Sequence, residues 1–334
     1  MISVVKILNL TFLLFFSVSQ WLRVEILALQ CDKKNLSMPD SALVEIAEIR
    51  SDRTRWYCDQ LERGKVLFFR QVPFDLPATD REFLLSQKQT GSRFHKNISY
   101  RPGKDMLKGV SSDSPERERL HAIMRNFSAQ VVRFLGGLLA PYADKIKMDF
   151  ASFRPLEEKN RDLPLHKRND LLHVDAFPTR PTHGARILRF FVNINPEAGR
   201  VWNVGEAFDE FMPRLAKTQT LSPPYRSGVA RKLAHAAASV GLPVADRSRY
   251  DEYMLYLHDW LKESADFQQN WPKQQLIFPP GCAWMVYTDG VPHAALSGQY
   301  ALEQTFIVPV EAFVTPEVAP VRVLEQITQM EMTR

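Results

Sequence analysis

The chain has 334 residues, with 43 Lys plus Arg against 38 Asp plus Glu, and is 45% apolar and 11% aromatic. That length and apolar content suffice for a real core and exclude wholesale disorder, while 24% charged residues exclude a polytopic membrane protein. The net charge of +5 suits an anionic partner, but no dense Lys/Arg stripe with interleaved aromatics occurs, so no nucleic acid partner is expected.

Residues 4–22 read VVKILNLTFLLFFSVSQWL, with an apolar core from Ile7 to Phe16 broken only by Asn9 and Thr11. This is the length of a signal-peptide apolar region and is short for a spanning helix. Lys6 gives a thin basic flank, Ser17, Val18 and Ser19 make a poor cleavage site, and Gln30 before Cys31 is wrong for a lipoprotein signal. Three readings of residues 1–37 stay open: a signal or anchor, an interfacial helix, or a start assigned upstream of true initiation near Met38. Residues 38–334 read as a single domain.

Residues 42–63 carry Leu43, Ile46, Ile49 and Trp56 at helical spacing and predict a helix. Residues 65–69 predict a short strand, and 91–109 a basic, turn-rich loop. Residues 117–139 place Leu120, Ile123, Met124, Phe127, Val131, Leu135 and Leu138 on one helical face. Beyond Asp144, strand-like runs follow at 148–154, 187–194, 275–278, 283–287 and 304–310, separated by turn residues. Helical segments at 228–240 and 250–263 interrupt them, an insertion spanning about 212–270. Short strands with helices outside predict an α+β fold, a double-stranded β-helix (jelly roll) core with flanking helices. Cys31, Cys58 and Cys282 are far apart and form no CxxC, so neither a disulfide framework nor a thiolate zinc site is expected.

His173, Val174 and Asp175 form a His-x-Asp, a spacing that chance can supply among eight histidines. Its context adds weight: residues 171–175 read as a short strand, where i and i+2 share a face. Residues 278–293, FPPGCAWMVYTDGVPH, read as a strand entered from a Pro-Gly turn and left by a tight turn that presents His293. Two imidazoles and one carboxylate make the facial triad of non-haem iron, with three positions left for a bidentate 2-oxo acid and dioxygen. A catalytic zinc more often takes three His, or two His and Glu. Spacing alone leaves open that the three are ordinary core and turn residues. His95, His121, His166, His183, His235 and His258 have no carboxylate at +2 and are read as structural.

The segments LLHVDAFPTRPTHGARILRFFVNINP, GRVWNVGEAFDEF and FPPGCAWMVYTDGVPHAALSGQYALEQTFIVP together resemble the Fe(II)/2-oxoglutarate-dependent dioxygenase superfamily. More closely, with FHKNISYRPGKD, DFASFRP and RYDEYMLYLHDWLK, residues 40–315 resemble the Kdo hydroxylases of Gram-negative bacteria. The resemblance implies Fe(II), with 2-oxoglutarate and O2 as cosubstrates, hydroxylating the 3-position of a Kdo sugar on the lipid A core and releasing succinate and CO2. It implies His173, Asp175 and His293 as the iron ligands. It also implies an anionic glycolipid substrate and a cytoplasmic protein, peripheral on the inner face of the bacterial inner membrane, where both cosubstrate and ferrous iron are supplied. Two other readings stay open: a hydroxylase of an amino acid or protein side chain, and a non-catalytic cupin-like binding protein.

Many superfamily members carry a cation about ten residues after the distal His to pair with 2-oxoglutarate. Here YALEQTF, residues 300–306, offers none. Strand alternation over residues 187–195 puts Arg189 and Asn193 opposite the plain apolar face of Leu188, Phe190, Val192 and Ile194. Arg189, whose fork fits a carboxylate, and Asn193 are therefore the expected cosubstrate contacts; a structural salt bridge for Arg189 is the alternative. Arg154, Arg186 and Arg200, with Trp202, are the expected substrate contacts, supported by Arg93, Lys96, Arg101 and Lys104 in the basic loop. Trp202 and Trp284 suit either sugar stacking or core packing. The insertion reads as a wall of the opening or as a peripheral buttress.

Overall fold

A computed structural model describes residues 41–87 and 97–333. Residues 1–37, with Cys31, and the loop cations Arg93 and Lys96 lie outside the described residues.

The helix expected over 42–63 divides. β1 (Leu43–Glu45) pairs in parallel with β2 (Val66–Phe69), and the helix is confined to a 3-10 turn (Ser51–Arg53) and α1 (Thr54–Glu62). The apparent stripe was a coincidence of spacing across a strand, a loop and a helix: Ile49 and Trp56 are exposed, and Tyr57, Cys58 and Leu61 are buried instead. After α2 (Ala78–Ser86), the region expected as a loop forms a hairpin of β3 (Ile98–Arg101) and β4 (Met106–Lys108). α3 (Arg117–Leu138) buries the expected apolar face.

β5 (Lys147–Arg154), β6 (Arg186–Asn193) and β7 (Arg200–Val204) precede a helical block. The block comprises α4 (Phe208–Thr218), α5 (Gly228–Ser239), α6 (Arg249–Glu263) and α7 (Ala265–Asn270). Then follow β8 (Gln274–Phe278), β9 (Ala283–Tyr287), β10 (His293–Ser297), β11 (Ala301–Val308) and α8 (Pro320–Thr328). The strands form a large sheet, β1-β2-β9-β6-β11-β5-β3-β4, and a small one, β10-β7-β8. This is the jelly roll with flanking helices. β10 went unseen because HAALS has little intrinsic strand preference; its pairing with β7 makes it a strand.

The alternation of β6 divides the interior. Leu188, Phe190 and Val192 join the cluster that seats α3, with Phe69, Phe127 and Phe153. Phe191 on the other face joins Trp202, Phe278 and Trp284 between the two sheets. A third cluster joins α4, α6 and α8 to Leu172 and Val174 beside the predicted ligands. Burial of such side chains, at about 1.5–3 kcal/mol each, is what holds the small sheet against the large one.

Candidate metal centre

β10 sets His293 opposite Val204 of β7. On its other side His293 exchanges both backbone hydrogen bonds with His173, 2.9 and 3.1 Å. That single bridge is all that remains of the strand expected at 171–175. Side chains take the rest of the backbone: Gln268 accepts from Leu172 N (2.8 Å) and donates to Leu172 O (2.9 Å), and His258 Nδ1 donates to Val174 O (2.7 Å). Asp175 N donates to Thr288 O at 2.9 Å. Helices α6 and α7 thus hold the ligand segment, which no local pattern foretold. The His258 ring lies 5.1 Å from that of His173, edge-on, so it supports a ligand although its sequence context gave no sign.

One ligand atom from each of His173, Asp175 and His293 lies within 4.8 Å of the others. His173 Nδ1 donates to Leu171 O (2.7 Å) and His293 Nδ1 to Val291 O (3.0 Å), which fixes the tautomer and leaves each Nε2 lone pair free. Burial, together with the neighbouring imidazole, holds His173 well below the usual histidine range; burial also lowers His293, against the pull of Asp175. Burial alone would raise Asp175, but Arg189 and the two imidazoles outweigh it and keep the carboxylate ionised. Neutral imidazoles and an ionised carboxylate are the forms that bind a divalent cation. The residues therefore fit Fe(II).

Arg189 Nε lies 2.9 Å from Asp175 Oδ2, and its Nη1 pairs with Glu303. Glu303 also accepts from Arg154 Nε at 2.7 Å. It stands ten residues after His293, where many superfamily members carry a cation. Sequence reasoning recorded the missing cation but not that an acid takes its place. Arg200 is 2% exposed; it donates to Gly298 O (2.9 Å), lies 3.4 Å from Glu158, and has no partner at Nε. Burial and the nearby Arg154 push Arg200 down to about 10. Arg154, Asn169, Arg189, Arg200 and Trp202 line a cavity of about 110 Å3 that reaches all three predicted ligands. One water needs roughly 10–15 Å3 on this measure, so there is room for a small diacid.

The structure places two expected contacts, Asn193 and Arg186, and one open candidate, Trp284, away from this cavity. Asn193 turns its amide to the carbonyls of Ala198, Phe278 and Pro279 and does not line this cavity. Trp284 is stacked on Phe278 at 4.0 Å and fully buried. Arg186 is 1% exposed, ion-paired to Asp289 at 2.9 Å and set over the Tyr287 ring. Its charge anchors the 288–292 turn that delivers His293. Trp202 does line the cavity, but stacks on His293 at 5.4 Å and braces that imidazole from behind. Arg101 lies over the Phe150 ring, and Lys104 is exposed.

A Cβ at Gly290 would fall 1.9 Å from Arg186 Nη2, so the buried guanidinium would have to shift against its pair with Asp289. Gly290→Ala is expected to cost about 1–3 kcal/mol in urea unfolding, as overpacking does, and to weaken metal binding through His293.

The family of 3-deoxy-D-manno-oct-2-ulosonic acid (Kdo) hydroxylases matches this chain over residues 45–331. The chain belongs to the Kdo hydroxylase family. Its likeness extends to solved structures of the Kdo hydroxylase KdoO, a non-haem Fe(II) 2-oxoglutarate-dependent dioxygenase. The apo form is 36% identical, with a TM-score of 0.77 over 87% of this chain and 97% of that one. The complex of KdoO with 2-oxoglutarate and Fe(III) is 35% identical, with a TM-score of 0.75 over 87% and 97%. The cobalt(II) complex is 35% identical, with a TM-score of 0.77 over 88% and 98%. No curated protein matches the chain. As a Kdo hydroxylase, the chain has a cluster of charged groups in its interior where the family chemistry requires metal and diacid together.

Proposed function

We propose that this chain hydroxylates the 3-position of a Kdo sugar in lipid A-core lipopolysaccharide, using Fe(II), 2-oxoglutarate and O2 and releasing succinate and CO2. The observation that carries this reading is the buried His173–Asp175–His293 cluster, opening on a small cavity lined by three arginines, in a member of the Kdo hydroxylase family. When bound, the iron supplies the oxidising power for attack on a C–H bond. The chain's own groups position the reactants. Arg189 steadies Asp175, and Trp202 and His258 brace the two imidazoles. A cavity this small takes the cosubstrate and leaves the bulk of a glycolipid outside.

Purified protein supplied with Fe(II), 2-oxoglutarate and a Kdo-lipid A precursor is expected to release succinate as the lipid gains one oxygen. Succinate release with an unchanged lipid would refute the substrate. Among the described residues no helix is long and apolar enough to cross a membrane. The working site in this reading is the cytoplasmic face of the inner membrane, reached by peripheral contact.

Arg189 faces two carboxylates, Asp175 and Glu303, whereas Arg200 faces one, Glu158 at 3.4 Å. The distal carboxylate of 2-oxoglutarate is therefore assigned to Arg200, with Arg154 beside it. Arg200→Ala is expected to raise the KM for 2-oxoglutarate about 10- to 100-fold, the worth of a charged hydrogen-bond pair. Arg189→Ala is expected instead to weaken metal affinity about 10- to 100-fold, as loss of an outer-shell partner does. A 2-oxoglutarate KM that moves with Arg189→Ala alone would reverse the assignment.

A further inference from the structure

The insertion turns an apolar stripe to solvent. Val229, Leu233 and Ala236 on α5, and Val240 at its C-terminal cap, recur at i, i+4, i+7 and i+11, which is one helical face. All four are exposed, Val229, Leu233 and Val240 by 70, 66 and 75%. The stripe continues into exposed Leu242 and Val244. Single exposed apolar residues elsewhere, such as Ile277 or Met148, are ordinary. A run of five large ones, Val229, Leu233, Val240, Leu242 and Val244, within one short segment is not.

The helix is attached by other means. Ala234 is its buried residue; Arg231 and neighbouring Arg226 pair with Glu252 of α6, and His235 with Asp246. The large apolar side chains are therefore free of the fold. Residues 211–245 contain Arg214, Lys217, Arg226, Arg231 and Lys232 and no Asp or Glu. Lys217 and Lys232 are exposed and, among the described residues, in no ion pair. A preformed helix with an outward apolar stripe and, among the described residues, two exposed lysines in no ion pair, Lys217 and Lys232, matches an interfacial helix.

We infer that α5 and residues 240–244 lie in the headgroup region of an anionic phospholipid bilayer and hold the enzyme there. This deepens the proposed function and takes its biological sense from that reading, in which the substrate is membrane-borne. α5 is connected to the metal site through α6: Arg231 pairs with Glu252, and His258 of the same helix holds Val174.

The test uses the full chain with Cys31→Ser, because Cys58 and Cys282 are buried. A bimane fluorophore is placed at Leu233→Cys, or at exposed Glu118→Cys on α3 as control. Vesicles of phosphatidylethanolamine and phosphatidylglycerol are expected to blue-shift the 233 label and expose it to lipid-nitroxide quenching, leaving the 118 label unmoved. Phosphatidylcholine vesicles, or high salt, are expected to give a weaker response. An unmoved 233 label overturns the inference, as does a shift that appears on concentrating the protein without lipid, which would mark a face between copies. Leu233→Glu with Val240→Glu is expected to weaken vesicle partitioning about tenfold or more with the melting temperature kept; unchanged partitioning overturns it too. Neither readout involves turnover. Lipid insertion with no activity on Kdo-lipid A would sink the substrate assignment alone, and activity without insertion would sink the docking alone.

Discussion

His293→Ala is expected to yield a folded protein that no longer couples 2-oxoglutarate to succinate release. The loss should exceed the roughly 10- to 100-fold cost of disturbing an outer-shell group at a metal site. The protein provides three ligand atoms within 4.8 Å, and one would be gone. Folding should survive because the bridge to His173 runs through backbone atoms, which alanine keeps. What else is lost is the imidazole stacked on Trp202. Titration of Fe(II) or cobalt(II) against the variant separates the two consequences, since metal affinity should collapse while the unfolding transition stays cooperative. His258→Ala provides the scale, because His258 touches His173 only by its ring edge and Val174 by one hydrogen bond. Normal metal affinity in His293→Ala would remove His293 from the site.

Sequence patterning exposed what depends on periodicity. β6 was readable because a strand buried on both faces still carried Arg189 among apolar neighbours, and that residue does face the cavity. α3 was readable because seven apolar residues keep helical phase. Residues 42–63 misled because a strand, a loop and a helix happened to share that phase. Contacts between distant segments were invisible. Arg189 meets Glu303 across 114 positions, so its saturation by two acids could not be foreseen. Arg186 was expected to contact substrate, and only the fold reveals its buried pair with Asp289. The triad itself stood out because metal chemistry restricts residue types severely, whereas carboxylate anchoring can use an Arg on any facing strand.

Glu303→Ala is expected to be the most damaging substitution away from the ligands, at about 3–5 kcal/mol, the cost of leaving buried charges without their partner. Glu303 is 2% exposed and bridges Arg154 of β5 and Arg189 of β6, its two neighbours in the large sheet. Removing it places two guanidinium groups close together in the interior, beside Arg200, which burial and Arg154 already strain. Burial alone would raise the Glu303 carboxyl, but the two arginines outweigh it and hold it below the usual glutamate range. The sign for pH follows. A group lowered on folding adds stability above its unfolded value, about 4.3 for glutamate, and that stability is lost as pH falls through the folded value. Urea midpoints of wild type and Glu303→Gln should therefore differ most near neutrality and converge in acid. Adding Arg189→Ala to Glu303→Ala removes one stranded charge, so the double variant should be less destabilised than the two single losses sum to. Strict additivity would show that the acid and the arginine do not act as a pair, and Arg189 would then be free to bind the cosubstrate after all.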